Sequence, residues 1–171
     1  FFKQKTAYEI PKRDWSSDVC SSDLPEPRGI QSEALAALER TRAEGYTAGL
    51  VVLATGLGKT WLAAFDSARF RRILFVAHRE EILDQAVATF RRVRPSARFG
   101  RLGAGKREFD AELVFASVQT LAREAHLARF DADAFDYVVV DEFHHAAAAT
   151  YRRVIDRLRP AFLLGDRKST R

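Results

Sequence analysis

The sequence predicts an α/β fold, a three-layer sandwich in which a parallel sheet is covered by helices on both faces. Short apolar runs at residues 50–54, 73–77, 113–117 and 137–140, with Ser117 at the end of the third as their one polar residue, alternate with segments whose apolar residues recur at helical spacing. Such runs have no polar face for solvent, so the strands are expected to be buried on both sides, as in parallel sheets. The chain has 171 residues and is 47% hydrophobic, which suits one domain and is too apolar for a disordered chain.

The predicted elements follow one another in a regular alternation of helix and strand. The first helix is expected at residues 32–43, with Ser32 as its N-cap. Strand 50–54 ends in a glycine-rich turn, after which a helix is expected at residues 59–70. The remaining predictions are strands at residues 73–77, 99–102, 113–117, 137–140 and 161–164, and helices at residues 79–92, 120–129 and 147–158.

The two ends of the chain differ in composition from the part between them. Residues 1–24 contain the only cysteine, Cys20, together with clustered Ser and Lys. They resemble the translation of a sequencing-library adapter, and residues 166–171 resemble the same kind of adapter read from the other side. We therefore expect the native domain to span residues 25–165. The chain also lacks methionine, which indicates a fragment of a longer protein.

Composition excludes several classes of protein. One cysteine cannot build a disulfide scaffold or a cysteine-based zinc site. No run approaches the roughly 18 apolar residues of a membrane span, and no secretory signal is visible. We therefore expect a cytoplasmic protein without a membrane partner. The whole chain has a net charge of +5, and residues 25–165 contain 21 Lys and Arg against 18 Asp and Glu, a net +3, which is compatible with a polyanionic partner without demanding one.

A phosphate-binding loop is predicted at residues 54–60, ATGLGKT, between an apolar strand and a helix. Glycine amides can wrap around phosphate oxygens, and the following helix directs its positive end at the same phosphates. Lys59 would reach the β- and γ-phosphates, and the Thr60 hydroxyl would bind Mg²⁺. The nucleotide-binding residues expected from the loop are Thr55, Gly56, Leu57, Gly58, Lys59 and Thr60. A glycine-rich turn that caps an ordinary helix is the alternative interpretation, and Leu53 stands where the strict motif has its first glycine.

A second cluster, DEFHH at residues 141–145, follows the apolar strand at residues 137–140. In parallel sheets the carboxyl ends of the strands form the ligand-binding edge, so this cluster should face the phosphate loop. Asp141 is expected to bind Mg²⁺, and Glu142 to polarise the attacking water. An acidic turn that caps a helix is the alternative. His144 is expected to contact neighbouring motifs, because no third and fourth ligand for zinc cluster with it.

These residues resemble the first RecA-like motor domain of the superfamily 2 DEAD/DEAH (DExH) helicases, close to the restriction-enzyme motor subunits of type III. The matching segments, in order, are PRGIQSEAL (27–35), ATGLGKT (54–60), FVAHREEILDQA (75–86), FASVQTL (115–121) and VVVDEFHH (138–145). The resemblance implies a P-loop NTPase fold, ATP and Mg²⁺ as cofactors, and contact of Gln31 with adenine. It also implies that Arg79, Gln119 and Thr120 touch a nucleic-acid backbone, although a solvated helix start and a loop hydrogen bond explain them equally well.

The function implied is that of a nucleic-acid-dependent ATPase, a helicase or translocase. DNA is expected as its partner ahead of RNA, and the sequence leaves the choice between the two open. Residues 25–165 would be its ATP-binding domain, truncated before motif III, and the second motor domain would lie outside this chain. The fragment alone is then expected to be inactive. The alternatives are an NTPase unrelated to nucleic acid and a nucleotide-dependent binding module. Lys106, Arg107 and the arginines of residues 91–101 could extend a phosphate-binding face or form a scattered solvated surface.

Overall fold

The computed structural model describes the backbone of residues 5–9, 25–53, 57–141 and 149–168, and the side chains of residues 25–53, 57–141 and 149–165. Within these residues the strands are β1 (Lys5–Glu9), β2 (Ala48–Leu53), β3 (Ile73–Ala77), β4 (Phe99–Gly103), β5 (Lys106–Arg107), β6 (Leu113–Ser117), β7 (Tyr137–Val140) and β8 (Phe162–Lys168). They form one sheet in the order β1-β2-β8-β7-β3-β6-β4-β5. Neighbouring strands are parallel except for β4 and β5, which form an antiparallel hairpin.

Helices cover both faces of the sheet, as the alternating pattern predicts. They are α1 (Ile30–Ala43), α2 (Lys59–Asp66), α3 (Glu80–Val93), α4 (Val118–Leu121), α5 (Glu124–Leu127) and α6 (Ala149–Arg157), and a 3-10 turn (Ser67–Arg69) follows α2. Apolar residues of α1, α2 and α3 pack on one face, and those of α4, α5 and α6 pack on the other. The three-layer α/β class is therefore confirmed. None of the described helices is long and apolar enough to cross a membrane.

Several helix boundaries differ from the prediction, and α3 is shifted by one residue, to Glu80–Val93. Helix α1 begins at Ile30 rather than Ser32, and its N-cap is Gly29. The Ser32 hydroxyl instead donates to the carbonyl oxygen of Pro27 at 3.3 Å. Helix α2 ends at Asp66, four residues before the expected end, because the chain tightens into the 3-10 turn where the Ser67 hydroxyl donates to the Ala64 carbonyl oxygen at 2.6 Å.

The single helix expected at residues 120–129 is two four-residue helices, α4 and α5. The Ser117 hydroxyl oxygen accepts a hydrogen bond from the Thr120 backbone N–H, which starts α4 earlier than expected, at Val118. The Thr120 carbonyl oxygen then contacts the Nδ1 atom of His126 at 2.8 Å. The His126 side chain thus takes the place of the backbone N–H that would bond to the Thr120 carbonyl oxygen in a continuous helix, and the helix is divided at this point.

The strands at the two sides of β2 involve the terminal segments. Strand β8 continues to Lys168, past residue 164 where the predicted strand stops, because β2 offers pairing groups along its whole length from Ala48 to Leu53. Strand β1 lies within residues 1–24 and pairs in parallel with the other side of β2. The adapter origin of residues 1–24 and 166–171 stays a prediction.

A buried ion pair joins α1 to the end of α2. The Asp66 carboxylate is fully buried and accepts two hydrogen bonds from the Arg42 guanidinium, at 2.8 and 2.9 Å. The guanidinium also lies 4.9 Å from the ring centroid of Phe162 in β8. Burial of Tyr137, and next the neighbouring Asp66 carboxylate, raise the pKa of the Tyr137 hydroxyl well above its ordinary value. This pair fixes α1 and α2 against the sheet, and both helices carry predicted site residues.

Candidate functional site

The parallel order of the sheet brings the predicted motifs to one edge. Residues 54–60 follow β2, residues 78–79 follow β3, residues 118–120 follow β6, and Asp141 follows β7. All four strands point the same way, so these segments gather where the strands end. Thr55, Gly56, Glu142 and His144 lie outside the described residues, and their predicted roles stay predictions.

The described part of the phosphate loop has a left-handed turn at its helix end. Gly58 is the N-cap of α2 with φ of 74° and ψ of 40°, a conformation that residues with a Cβ adopt at a cost. The Leu57 side chain is buried in a small apolar cluster with Ala34, Leu53 and Leu62. Leu57 can therefore offer a ligand only its backbone. The described end of the loop is thus packed against the core through Leu57, and α2 begins directly after Gly58, at Lys59.

Lys59, Thr60 and Asp141 come together at this edge. All three line one small cavity, whose floor is apolar and includes Val51, Phe75 and Val139. The Lys59 ammonium donates to the carbonyl oxygen of Leu53 at 3.3 Å, and the backbone N–H of Asp141 donates to the carbonyl oxygen of Val76 at 2.9 Å. Three residues that carry an ammonium, a hydroxyl and a carboxylate thus surround one small cavity between the ends of β2 and β7.

Gln31 lies directly beside the loop. Its side chain is buried, and its Oε1 atom accepts a hydrogen bond from the Arg28 backbone N–H at 3.2 Å. A Cβ at Gly58 would overlap the Nε2 atom of Gln31, so the amide rests on the glycine. The two residues share the wall of a cavity of about 400 Å³, which is also lined by Pro25, Glu26, Arg28, Trp61, Phe65 and Arg92. This cavity adjoins the phosphate loop on the α1 side.

The residues expected to touch nucleic acid form a second group at the same edge. The Gln119 side-chain amide donates to the carbonyl oxygen of His78 at 3.3 Å, and Arg79 donates through Nε to the His78 ring at 3.1 Å. The Thr120 hydroxyl is 2.9 Å from that of Ser117. Arg79 and Gln119 are exposed, whereas Thr120 is partly buried. The pairing of β3 with β6, which places Ala77 opposite Ser117, is what brings these segments together.

The sequence analysis assigned no role to His78, and neither of its two interpretations for the arginines of residues 91–101 holds for Arg101. His78 links Arg79 and Gln119, and its role depends on strand register, which no local spacing reports. Arg101 is buried and ion-paired with Glu80 at 2.6 Å and Asp84 at 3.0 Å. Arg101 therefore fastens β4 to the first turn of α3 and is not part of a solvated basic surface.

Comparison with known proteins identifies the family. Residues 24–165 match the family model described as "Type III restriction enzyme, res subunit". The chain belongs to this restriction-subunit family. The match covers all the described residues of the candidate site. The resemblance to a superfamily 2 motor domain is thereby confirmed.

Individual relatives agree with membership in the restriction-subunit family. A Saccharomyces cerevisiae protein, provisionally named ATP-dependent helicase IRC3, is 30% identical over 165 residues, which cover 88% of this chain and 22% of that protein. A relative from Acanthamoeba polyphaga mimivirus, provisionally named ATP-dependent RNA helicase L396, is 27% identical over 121 residues, or 68% of this chain and 22% of that protein. The chain therefore spans about a fifth of the length of the curated relatives it matches.

Solved structures show the same fold in other proteins. The SWI2/SNF2 ATPase core of Sulfolobus solfataricus, solved in complex with dsDNA, superposes with a TM-score of 0.67 at 14% identity, covering 88% of this chain and 34% of that chain. The UvsW helicase of bacteriophage T4 gives a TM-score of 0.65 at 20% identity, covering 85% of this chain and 53% of that chain. At such identities the likeness concerns the fold alone, which is the three-layer α/β arrangement described above.

Proposed function

We propose that this chain is the ATP-binding domain of a nucleic-acid-dependent ATPase that couples Mg-ATP hydrolysis to movement on, or unwinding of, nucleic acid. The observation that carries the proposal is the convergence of Lys59, Thr60 and Asp141 on one cavity, directly beside the left-handed turn at Gly58. A cation, a hydroxyl and a carboxylate are the groups that a phosphate-bound Mg²⁺ and its triphosphate require. Family membership supports the same function.

The donor set fits a Mg-triphosphate. Thr60 and Asp141 offer two oxygen ligands, which suits Mg²⁺ because this ion usually takes one or two protein ligands and completes its shell with phosphates and water. When bound, the ion would neutralise charge on the phosphates. Lys59 would exchange the Leu53 carbonyl oxygen for phosphate oxygens, and the N-terminus of α2 would add its positive dipole. Glu142 would hold and polarise the attacking water.

The base is expected to meet Gln31. An amide side chain can pair with the N6 and N7 edge of adenine, to which it both donates and accepts. The hydrogen bond from the Arg28 backbone fixes the orientation of the amide, and the cavity of about 400 Å³ beside it is large enough for a base. Guanine carries the acceptor O6 where adenine carries the N6 amino group. The carbonyl oxygen of the amide would then face an acceptor and lose its hydrogen bond, so ATP should be preferred over GTP.

The exposed residues Arg79 and Gln119, together with the partly buried Thr120, would contact the backbone of the nucleic acid. The partner proposed is DNA, which is supported by the dsDNA complex of the archaeal structural neighbour and by the restriction-subunit family. Contacts to the sugar-phosphate backbone bind the nucleic acid without distinguishing its base sequence. The second motor domain, which would complete the ATP site with its arginines, is proposed to lie outside this chain, so the chain alone should hydrolyse ATP little.

The nucleotide part of the proposal is tested by calorimetric titration of Mg-ATP into the 171-residue chain. We expect weak binding, because the second motor domain is absent from this chain, and Lys59→Ala should abolish it because the variant removes the ammonium that would face the phosphates. The matched control is Arg40→Ala, which removes an exposed cation near the end of α1 and should leave binding unchanged. Binding that is equal in the chain and in Lys59→Ala would contradict the assignment of the site.

The nucleic-acid part is tested on the complete parent protein. Hydrolysis of ATP should rise when duplex DNA is added, and Glu142→Gln should abolish turnover while ATP still binds. A rate of ATP hydrolysis that is unchanged by DNA and by RNA would favour an NTPase unrelated to nucleic acid. ATP binding without any turnover in the parent would favour a nucleotide-dependent binding module.

We also propose that residues 1–24 and 166–171 derive from sequencing adapters. Their likeness to adapter translations supports this, as does a family match confined to residues 24–165. Resequencing the parent DNA across both joins is the test. A locus that encodes both segments as they stand here would overturn the proposal.

A further inference from the structure

Two aromatic side chains beside the phosphate loop take no part in the apolar core. Trp61 and Phe65 lie one turn apart on α2, with ring centroids 5.8 Å apart and ring planes inclined by 32°. Both are only partly buried, and neither belongs to any of the three apolar clusters among the described residues. Aromatic surface left partly in water next to a cavity is typical of a binding site.

We propose that Trp61 is the residue on which the base of the bound nucleotide stacks. The inference rests on the proposed nucleotide site and adds a residue that neither the motifs nor the family match assigns. Trp61, Gly58 and Gln31 line the same cavity of about 400 Å³. A ligand that places its phosphates against the loop and its base edge against Gln31 therefore passes the indole of Trp61.

The distances support this placement. The Cβ and Cδ1 atoms of Trp61 are both 3.6 Å from the position that a Cβ on Gly58 would occupy, so the indole begins within van der Waals reach of the loop. The Nε2 atom of Gln31 lies next to the same Cβ position, so the amide and the indole are neighbours on one side of the glycine. A hydrogen-bonding amide and an aromatic ring therefore lie side by side above Gly58, where no side chain comes between them. The edge of a base can form hydrogen bonds with the amide of Gln31, and its face can stack on the indole of Trp61.

The two residues would divide the recognition of the base. Every base has a π-face, so stacking on an aromatic ring contributes affinity without choosing between bases. A fixed amide chooses between hydrogen-bonding edges and so sets specificity. Loss of the Trp61 ring should therefore weaken ATP and GTP by similar factors and leave their ratio unchanged. Loss of the Gln31 amide should change the ratio.

The test compares ATP with inorganic tripolyphosphate, which has the phosphates but no base. Both ligands are titrated with Mg²⁺ into the 171-residue chain and into the variants Trp61→Leu and Trp61→Phe. Stacking of one base on one aromatic ring is worth about 5- to 150-fold in affinity. We expect Trp61→Leu to weaken ATP by a factor in that range and to leave tripolyphosphate unchanged, whereas Trp61→Phe retains ATP binding.

The control is Tyr46→Leu, which removes a partly buried ring between α1 and β2, outside the residues that line the cavity. It should leave both ligands unaffected. Equal weakening of ATP and tripolyphosphate by Trp61→Leu would mean that Trp61 only supports the loop, and this outcome overturns the inference. Failure of the unaltered chain to bind either ligand would instead overturn the proposed function itself.

A fluorescence measurement decides the matter if Trp61→Leu does not fold. The chain has two tryptophans, so Trp15→Phe leaves Trp61 as the single indole emitter. Stacking of a base should quench this emission when ATP is added, and tripolyphosphate should not. Emission that responds equally to both ligands, or to neither while ATP binds, contradicts stacking on Trp61.

Discussion

The Gln119 side-chain amide donates to the backbone carbonyl oxygen of His78 at 3.3 Å, across a sequence separation of 41 residues. This hydrogen bond ties the segment after β6 to the segment after β3. The His78 ring in turn accepts from the Arg79 guanidinium at 3.1 Å. The two segments that are proposed to hold a nucleic-acid backbone are therefore one connected unit.

We expect Gln119→Ala to weaken the binding of duplex DNA. The variant loses both a polar contact to the backbone and the link that positions Arg79. One hydrogen bond of this kind is worth about 0.5–1.5 kcal/mol, or roughly 2- to 12-fold in affinity. The measurement is fluorescence anisotropy of a labelled duplex at fixed salt. Gln85→Ala is the control, because it removes an exposed amide from α3. Equal losses in the two variants would contradict a specific role for Gln119.

We expect Gly58→Ala to destabilise the chain and to weaken ATP binding by at least about tenfold, since the new methyl group displaces the buried Gln31 amide. The control is Gly45→Ala, which introduces backbone strain from a positive φ without displacing a neighbouring side chain. Gly45 also has a left-handed φ, 84°, but the space that a Cβ there would enter is open to a distance of 4 Å. It should cost about 1–2 kcal/mol of the free energy of unfolding, measured by urea denaturation, and leave ATP binding unchanged. Weakened ATP binding in Gly45→Ala would show that strain alone explains the effect.

We expect Asp66→Ala to cost about 3–5 kcal/mol of the free energy of unfolding, because it leaves the mostly buried Arg42 guanidinium without its carboxylate. Asp84→Ala is the matched control. The Asp84 side chain is 76% exposed where it pairs with Arg101, so its loss should cost about 0–1 kcal/mol. Thermal or urea denaturation measures both. A cost below about 1 kcal/mol for Asp66→Ala would mean that Arg42 finds another partner.

Tyr137 should make the chain less stable in alkaline solution. Burial, followed by the Asp66 carboxylate, raises the pKa of its hydroxyl in the folded state, so the folded chain holds this proton more tightly than the unfolded chain. The contribution to stability is full below the ordinary tyrosine pKa of about 10 and is lost as the pH rises towards the folded pKa. Urea denaturation between about pH 9 and pH 11 should show a decline that is smaller in Tyr137→Phe. An identical decline in both proteins would contradict the prediction.

The strands at the centre of the sheet and the motifs that follow them could be predicted from the amino-acid sequence. Strands β3, β6 and β7 have the predicted bounds, because each apolar run starts directly after a charged residue and a polar residue (His78, Ser117 or Asp141) stands at or directly after its end. The parallel topology then requires Lys59, Thr60 and Asp141 to meet at one edge. The family resemblance rested on the same motifs.

Contacts between side chains of different elements, by contrast, became known only from the packed structure. The contact of Gln31 with Gly58, the bond from Gln119 to His78 and the burial of Arg101 depend on how helices and strands are placed side by side. Helix ends also escaped prediction, because side chains such as Ser67 and His126 compete with the helix for its carbonyl groups. Local periodicity reports which face of an element is buried, whereas register and side-chain capping arise only when the elements pack together.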